Sequence, residues 1–93
     1  MLTIKETNDK QKYGVDGDKI VLEGKDGENI YGFVIMKIED NILKIEKISC
    51  DDFLLADGLK RAAFNYALNR QIIEADCEGK TVDIIEFFNK GCK

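Results

Sequence analysis

The change of hydrophobic period at Cys50 constrains this chain more than any other feature. Before it, apolar residues alternate with polar ones in "LKIEKIS". After it, Leu55, Leu59, Ala62, Ala63, Tyr66 and Ala67 recur at helical spacing, with Lys60, Arg61, Asn65 and Asn69 outside that stripe. Gln71 to Cys77 then returns to a strand-like pattern. A strand–helix–strand unit takes a right-handed crossover, which sets the later strand parallel to the earlier one in the same sheet.

Upstream, Leu2 to Glu6 alternates as a short strand, and Thr7 to Asp18 is polar with Gly14 and Gly17, a loop. Lys19 to Glu23, Asn29 to Ile38 and Ile42 to Cys50 form three further strands. The turns between them fall at Asp26-Gly27, a pair tolerant of positive φ, and at Glu39-Asp40-Asn41. Asp51 or Asp52 is placed to cap the helix that follows, and Thr81 to cap a last helix with Ile84, Ile85 and Phe88 on its apolar face. The expected fold is therefore α+β (mixed α/β), in the order β-β-β-β-α-β-α. It combines an antiparallel meander with one parallel β-α-β pair.

At 93 residues the chain supports a single domain spanning residues 1–93. A domain of this size buries about two-thirds of its unfolded surface, enough for one core without staples. Lys plus Arg number 14 against 18 Asp plus Glu, a net charge of −4. That balance argues against nucleic acid or an anionic membrane as the main partner, since both call for a basic surface. No apolar run approaches the ~20 residues of a membrane helix. No leader is visible at the N-terminus, and the expected location is cytoplasmic.

Three cysteines, Cys50, Cys77 and Cys92, lie far apart without a C-x-x-C pair, and the chain has no histidine. No zinc site and no bound metal are expected, and the thiols are expected to be reduced and to pack as small hydrophobes. Without histidine, no Ser-His or Cys-His nucleophile pair can form. Acid–base chemistry must come from carboxylates, Lys, Tyr, Cys or water. Gly79-Lys80-Thr81 echoes the end of a phosphate-binding loop, but that motif needs a glycine where Glu74 stands.

Where two parallel strands end beside a helix N-terminus, ligands tend to bind. Here that place is "CDDFLLADGLKR", Cys50 to Arg61. Together "YGFVIMKIED", "LKIEKIS", "ADGLKRAAFNYALNRQIIEADC" and "VDIIEFFNKGCK" resemble the GNAT superfamily of N-acyltransferases over about Ile20 to Lys93. The segment Ala56 to Ile72 is similar, without a gap, to that family's helix after the acyl-CoA loop. Gly91-Cys92-Lys93 takes the place of its terminal Gly-Phe-Lys.

The resemblance implies an acyltransferase that uses acetyl-CoA and an amine acceptor, either a small amine or a protein amine. The thioester would lie near Ile48 and Cys50, and the pyrophosphate near Leu54, Leu55, Ala56, Asp57 and Gly58. Departures from the family loop are plain: Ala56 fits the last small position, but Leu54 replaces the central glycine and Asp51 the Gln or Arg. Asp51, Asp52 and Asp57 set like charge beside a pyrophosphate, which Lys60 and Arg61 offset in part. Phe87 stands where the family often has an acidic tyrosine, and Lys80 where it has a cofactor-contacting asparagine. Glu46 is the first candidate for a base, Glu39 the second. The resemblance also implies two missing C-terminal strands, an exposed edge at the fifth strand and a homodimer through it. The alternative is a non-catalytic module of the same shape, acting in protein interaction or self-association.

Overall fold

The computed structural model describes residues 2–77 and 79–91, with Lys90 and Gly91 as backbone only. The α+β class and the mixed sheet are as expected. Six strands run in sequence order: β1 (Leu2–Glu6), β2 (Ile20–Asp26), β3 (Asn29–Glu39), β4 (Ile42–Cys50), β5 (Glu74–Cys77) and β6 (Lys80–Asp83). Each neighbouring pair is antiparallel except β4 with β5, which is parallel and joined through helix α1 (Phe53–Leu68). Helix α2 (Ile84–Gly91) ends the described chain.

Local chemistry explains most boundaries. Asp40 and Asn41 both take positive φ between β3 and β4, the backbone that a tight two-residue hairpin requires. Asp52 caps α1: its Oδ1 accepts the Leu54 N–H at 2.9 Å. At the other end, Gln71 adopts a left-handed conformation, and the Ile72 N–H closes on the Ala67 carbonyl at 3.0 Å. That turn takes Gln71 to Ile73 out of the strand expected from Gln71, so β5 starts at Glu74.

Two expectations are corrected. Thr81 does not cap a helix; it lies in β6 and donates to Asp76 Oδ1 at 3.1 Å. The cap moves to Asp83, whose Oδ1 accepts the Glu86 N–H at 3.1 Å. Gly79, at φ +79°, turns the chain back so that Lys80 to Asp83 pair with β5. The fifth strand is therefore not an edge, and the sheet edges are β1 and β6. Cys92 and the Gly-Cys-Lys ending fall largely outside the described residues.

One face of the sheet packs on α1. Met36, Leu43, Leu59, Phe64 and Ile84 are fully buried there, with Phe87 and Phe88 of α2 meeting Phe64 edge-on at 4.9 and 6.4 Å. The opposite face is partly covered by the segment between β1 and β2, which contains a single 3-10 turn, Gln11–Tyr13. Tyr13 packs on Phe33 at 4.5 Å between ring centres. Its hydroxyl donates to Glu23, a carboxylate only 3% exposed, and Lys12 lies 2.7 Å from the same oxygen.

Candidate functional site

Pairing between β4 and β5 lasts four residues, Ile42 to Ile45 against Glu74 to Cys77. Just past it, the β3–β4 register slips: Met36 pairs with Ile45 but Ile35 pairs with Lys47, so Glu46 is an unmatched extra residue. From Lys47 to Cys50, β4 keeps its partner β3, while among the described residues no strand pairs with its other side beyond Ile45. A groove of about 360 Å³ occupies that split. Ile48 and Cys50 of β4 form one wall, Phe53, Ala56, Asp57 and Lys60 of α1 another, and Cys77 closes the β5 end. A neighbouring hollow of about 410 Å³ shares Ile48 and Cys77 and extends past Glu46 to Gly79.

The split brings together Ile48, Cys50, Ala56 and Asp57 from the expected cofactor set. It does not bring in Leu54, Leu55 or Gly58. Leu54 is 78% exposed, beside an equally bare Phe53. Leu55 is buried because Gly24 on β2 has no side chain: a Cβ there would come within 3.0 Å of Leu55 Cδ1. Gly58 faces β1, where its Cβ would rest 3.5 Å from Ile4. Phe53 and Cys77 line the groove without having been singled out for it. Phe53 stands outside the amphipathic stripe, which could have flagged it. Cys77 is there because of the parallel register, which a sequence pattern does not specify.

Polar groups around the split are largely engaged. The Leu54 N–H, one of the donors an anion would meet at the start of α1, is already taken by Asp52. Cys50 Sγ donates to the Asp52 carbonyl at 3.2 Å and accepts the Asp52 N–H at 3.4 Å. Asp57 pairs with Arg61 one turn on, at 2.8 Å. Lys60 keeps its ammonium 5.2 Å from the Phe87 ring centre, at the groove's rim.

The expected bases are held by lysines. Both carboxylate oxygens of Glu46 accept from Lys19, and Lys37 lies 3.9 Å away. Glu39 is held below the usual carboxylate range, first by the Lys44 hydrogen bond and then by the charge of Lys37. Phe87, without a hydroxyl, packs on Phe64 rather than reaching the groove. A buried polar cluster lies elsewhere, at Glu23. Burial pushes its carboxyl up, but hydrogen bonds from Lys12 and Tyr13 and the charges of Lys12 and Lys25 outweigh burial and bring it down. Tyr13 is pushed up, by burial first and then by its bond to Glu23.

Among the described residues no group of three or more acidic, Cys or His side chains is arranged to hold a metal, and no helix is long and apolar enough to cross a membrane. No protein-family model matches the sequence, and no curated protein matches it. One solved structure does. It is the crystal structure of a "putative acyl-CoA N-acyltransferase" from Klebsiella pneumoniae, 13% identical, with a TM-score of 0.64 over 81% of this chain and 69% of that one. The fold is GNAT-like. At 13% identity the likeness shows the fold alone and stops short of the chemistry.

Proposed function

We propose that the chain binds acetyl-CoA along the unpaired stretch of β4 and transfers its acetyl group to an amine. The observation that carries this reading is the early end of β4–β5 pairing. It leaves five residues, Glu46 to Cys50, with backbone groups on the groove side that no strand among the described residues takes up. Such groups can pair with an extended thioester arm much as a strand would. In the reaction the neutral amine nitrogen attacks the thioester carbonyl carbon. The C–N bond forms, the C–S bond breaks, the amine gives up a proton and the leaving thiolate gains one. Backbone N–H groups between Ile48 and Cys50 would polarise the carbonyl, and Lys60 would pair with a phosphate. The reading implies a cytoplasmic enzyme, with acidic surface turned away from nucleic acid and anionic membranes.

A second reading is a non-catalytic module of the same fold. Two observations favour it: Asp52 puts a carboxylate where the pyrophosphate would sit, and Phe87 supplies no proton for the thiolate. Self-association through a sheet edge would then use β1 or β6.

A melting experiment with an amine panel separates the two. At acetyl-CoA about 100-fold above Kd, a ligand bound only to the folded state adds ~2.7 kcal/mol. For a domain this size the expected rise in Tm is roughly 10 °C or more. Free thiol should then appear only when an accepted amine is added. A raised Tm without thiol release under any amine supports the second reading, and an unchanged Tm at millimolar acetyl-CoA rejects the first.

A further inference from the structure

A second groove, of about 370 Å³, lies on the Tyr13 side of the sheet, at the start of β3 and the end of β4. Its walls are strongly aromatic: Tyr13, Tyr31 and Phe33 all line it. Tyr31 is there because the β2–β3 register slips between Gly24 and Lys25, leaving it unmatched and half exposed. Two charged side chains share the lining, Lys12 and Asp51. They are not equivalent. The Lys12 ammonium is spent on the buried Glu23 carboxylate at 2.7 Å, while Asp51 is exposed and has no ion-pair partner among the described residues.

We propose that this groove is a binding site for a small organic ammonium ion, held against the faces of Tyr13, Tyr31 and Phe33 with Asp51 as its counter-charge. Aromatic faces attract cations through their quadrupoles, more strongly where water is displaced. Two of these rings already do so within the chain: the Lys12 ammonium lies 5.4 Å from the Tyr13 ring centre and that of Lys47 lies 5.9 Å from Phe33. The buried Glu23 fixes the site by holding Tyr13 and Lys12 in place, and it cancels the charge on Lys12 that would repel a cation.

The groove also has a definite relation to the first. Cys50 lines both. Gly32 lets the strands close up at that point, since a Cβ on it would sit 3.0 Å from Cys50 Cβ and Sγ and from the Ser49 carbonyl. An ammonium held by Asp51 would thus wait beside Cys50, and after giving its proton to solvent water it would be the neutral amine that attacks. Its role as acceptor rests on the acyl-transfer reading; its binding does not.

The test uses the whole chain without acyl-CoA. 2-Phenylethylammonium, benzyl alcohol and benzoate, which share a ring and differ in charge, are titrated while amide shifts are followed by NMR. The ammonium should give saturable shifts at Ile30 to Phe33 and Ser49 to Asp51, the other two far weaker ones. Asp51→Asn and Tyr31→Ala, both at exposed positions, should each weaken it roughly ten-fold. Equal response to benzoate or benzyl alcohol, shifts outside this groove, or unchanged affinity in Asp51→Asn would overturn the proposal. Ammonium binding without acetyl-CoA binding sinks the acyl-transfer reading alone, and the reverse sinks this one alone.

Discussion

On one face of the sheet, α1 and α2 bury Leu43, Leu59, Phe64 and Ile84 completely; on the other, a single 3-10 turn is tied to β2 by Tyr13 and Lys12 around Glu23. The first face is held by apolar area and edge-on aromatic contacts; on the second, the buried Val21 and Ile35 and the Tyr13–Phe33 contact are joined by one buried carboxylate with two donors. Apolar packing is insensitive to pH and spread over many residues. A buried carboxylate concentrates the anchoring of a whole segment in one titratable group. The two candidate grooves follow this division. The split between β4 and β5 opens beside the apolar core, the aromatic groove beside the polar tie, and Cys50 belongs to both.

The contrast can be broken most forcefully at Phe64. Phe64→Ala removes the ring on which Phe87 and Phe88 rest and should cost roughly 3–5 kcal/mol, measured by urea unfolding. Glu23→Ala on the other face should cost less, roughly 1–3 kcal/mol, and release the 3-10 turn, visible as faster amide exchange at residues 11–15.

The same tie gives the protein a pH signature. Glu23 is lowered in the folded state, so its contribution is present above the unfolded carboxylate pKa and is lost as pH falls through the folded value. Tyr13 is raised, so its contribution is full below the unfolded tyrosine pKa and is lost as pH rises above it. Stability should therefore fall at both ends, below about 4.5 and above about 10. Tyr13→Phe should flatten the alkaline limb without abolishing it, because burial and the Glu6 charge also raise Tyr66. An alkaline limb identical in that variant would separate Tyr13 from the tie.

Smaller effects sharpen the groove side. Asp52→Gly keeps an acceptable cap residue and should cost only a few tenths of a kcal/mol. It also frees the Leu54 N–H, so acetyl-CoA should bind more tightly than to the parent chain, as read by calorimetry. Smallest of all, Asp57→Ala removes an exposed pair with Arg61 and should change stability by less than about 0.5 kcal/mol.

Much of the fold was legible because the first five strands and α1 each carry their own period. The Ile42–Cys50 strand and the Asp52 cap are local events, and local residues specify them. β6 escaped because Lys-Thr-Val-Asp is too short to show alternation, and only Gly79 with its positive φ turns it back onto β5. The lining of the candidate groove was half legible. Ile48, Cys50, Ala56 and Asp57 meet in the split, but Leu55 is drawn into the core by the bare backbone of Gly24, thirty-one positions away. The Glu23 cluster was not visible at all. It depends on a polar loop folding back over the sheet, and nothing in the pattern of Thr7 to Asp18 announces that contact.

The most direct measurement is an acetyl-CoA titration of the labelled chain followed at the amides of Ile48 to Cys50, Ala56, Asp57 and Cys77. Saturable shifts confined to these residues and their neighbours in the split are the expected result. No change at millimolar ligand, or shifts centred on any other surface, would contradict it.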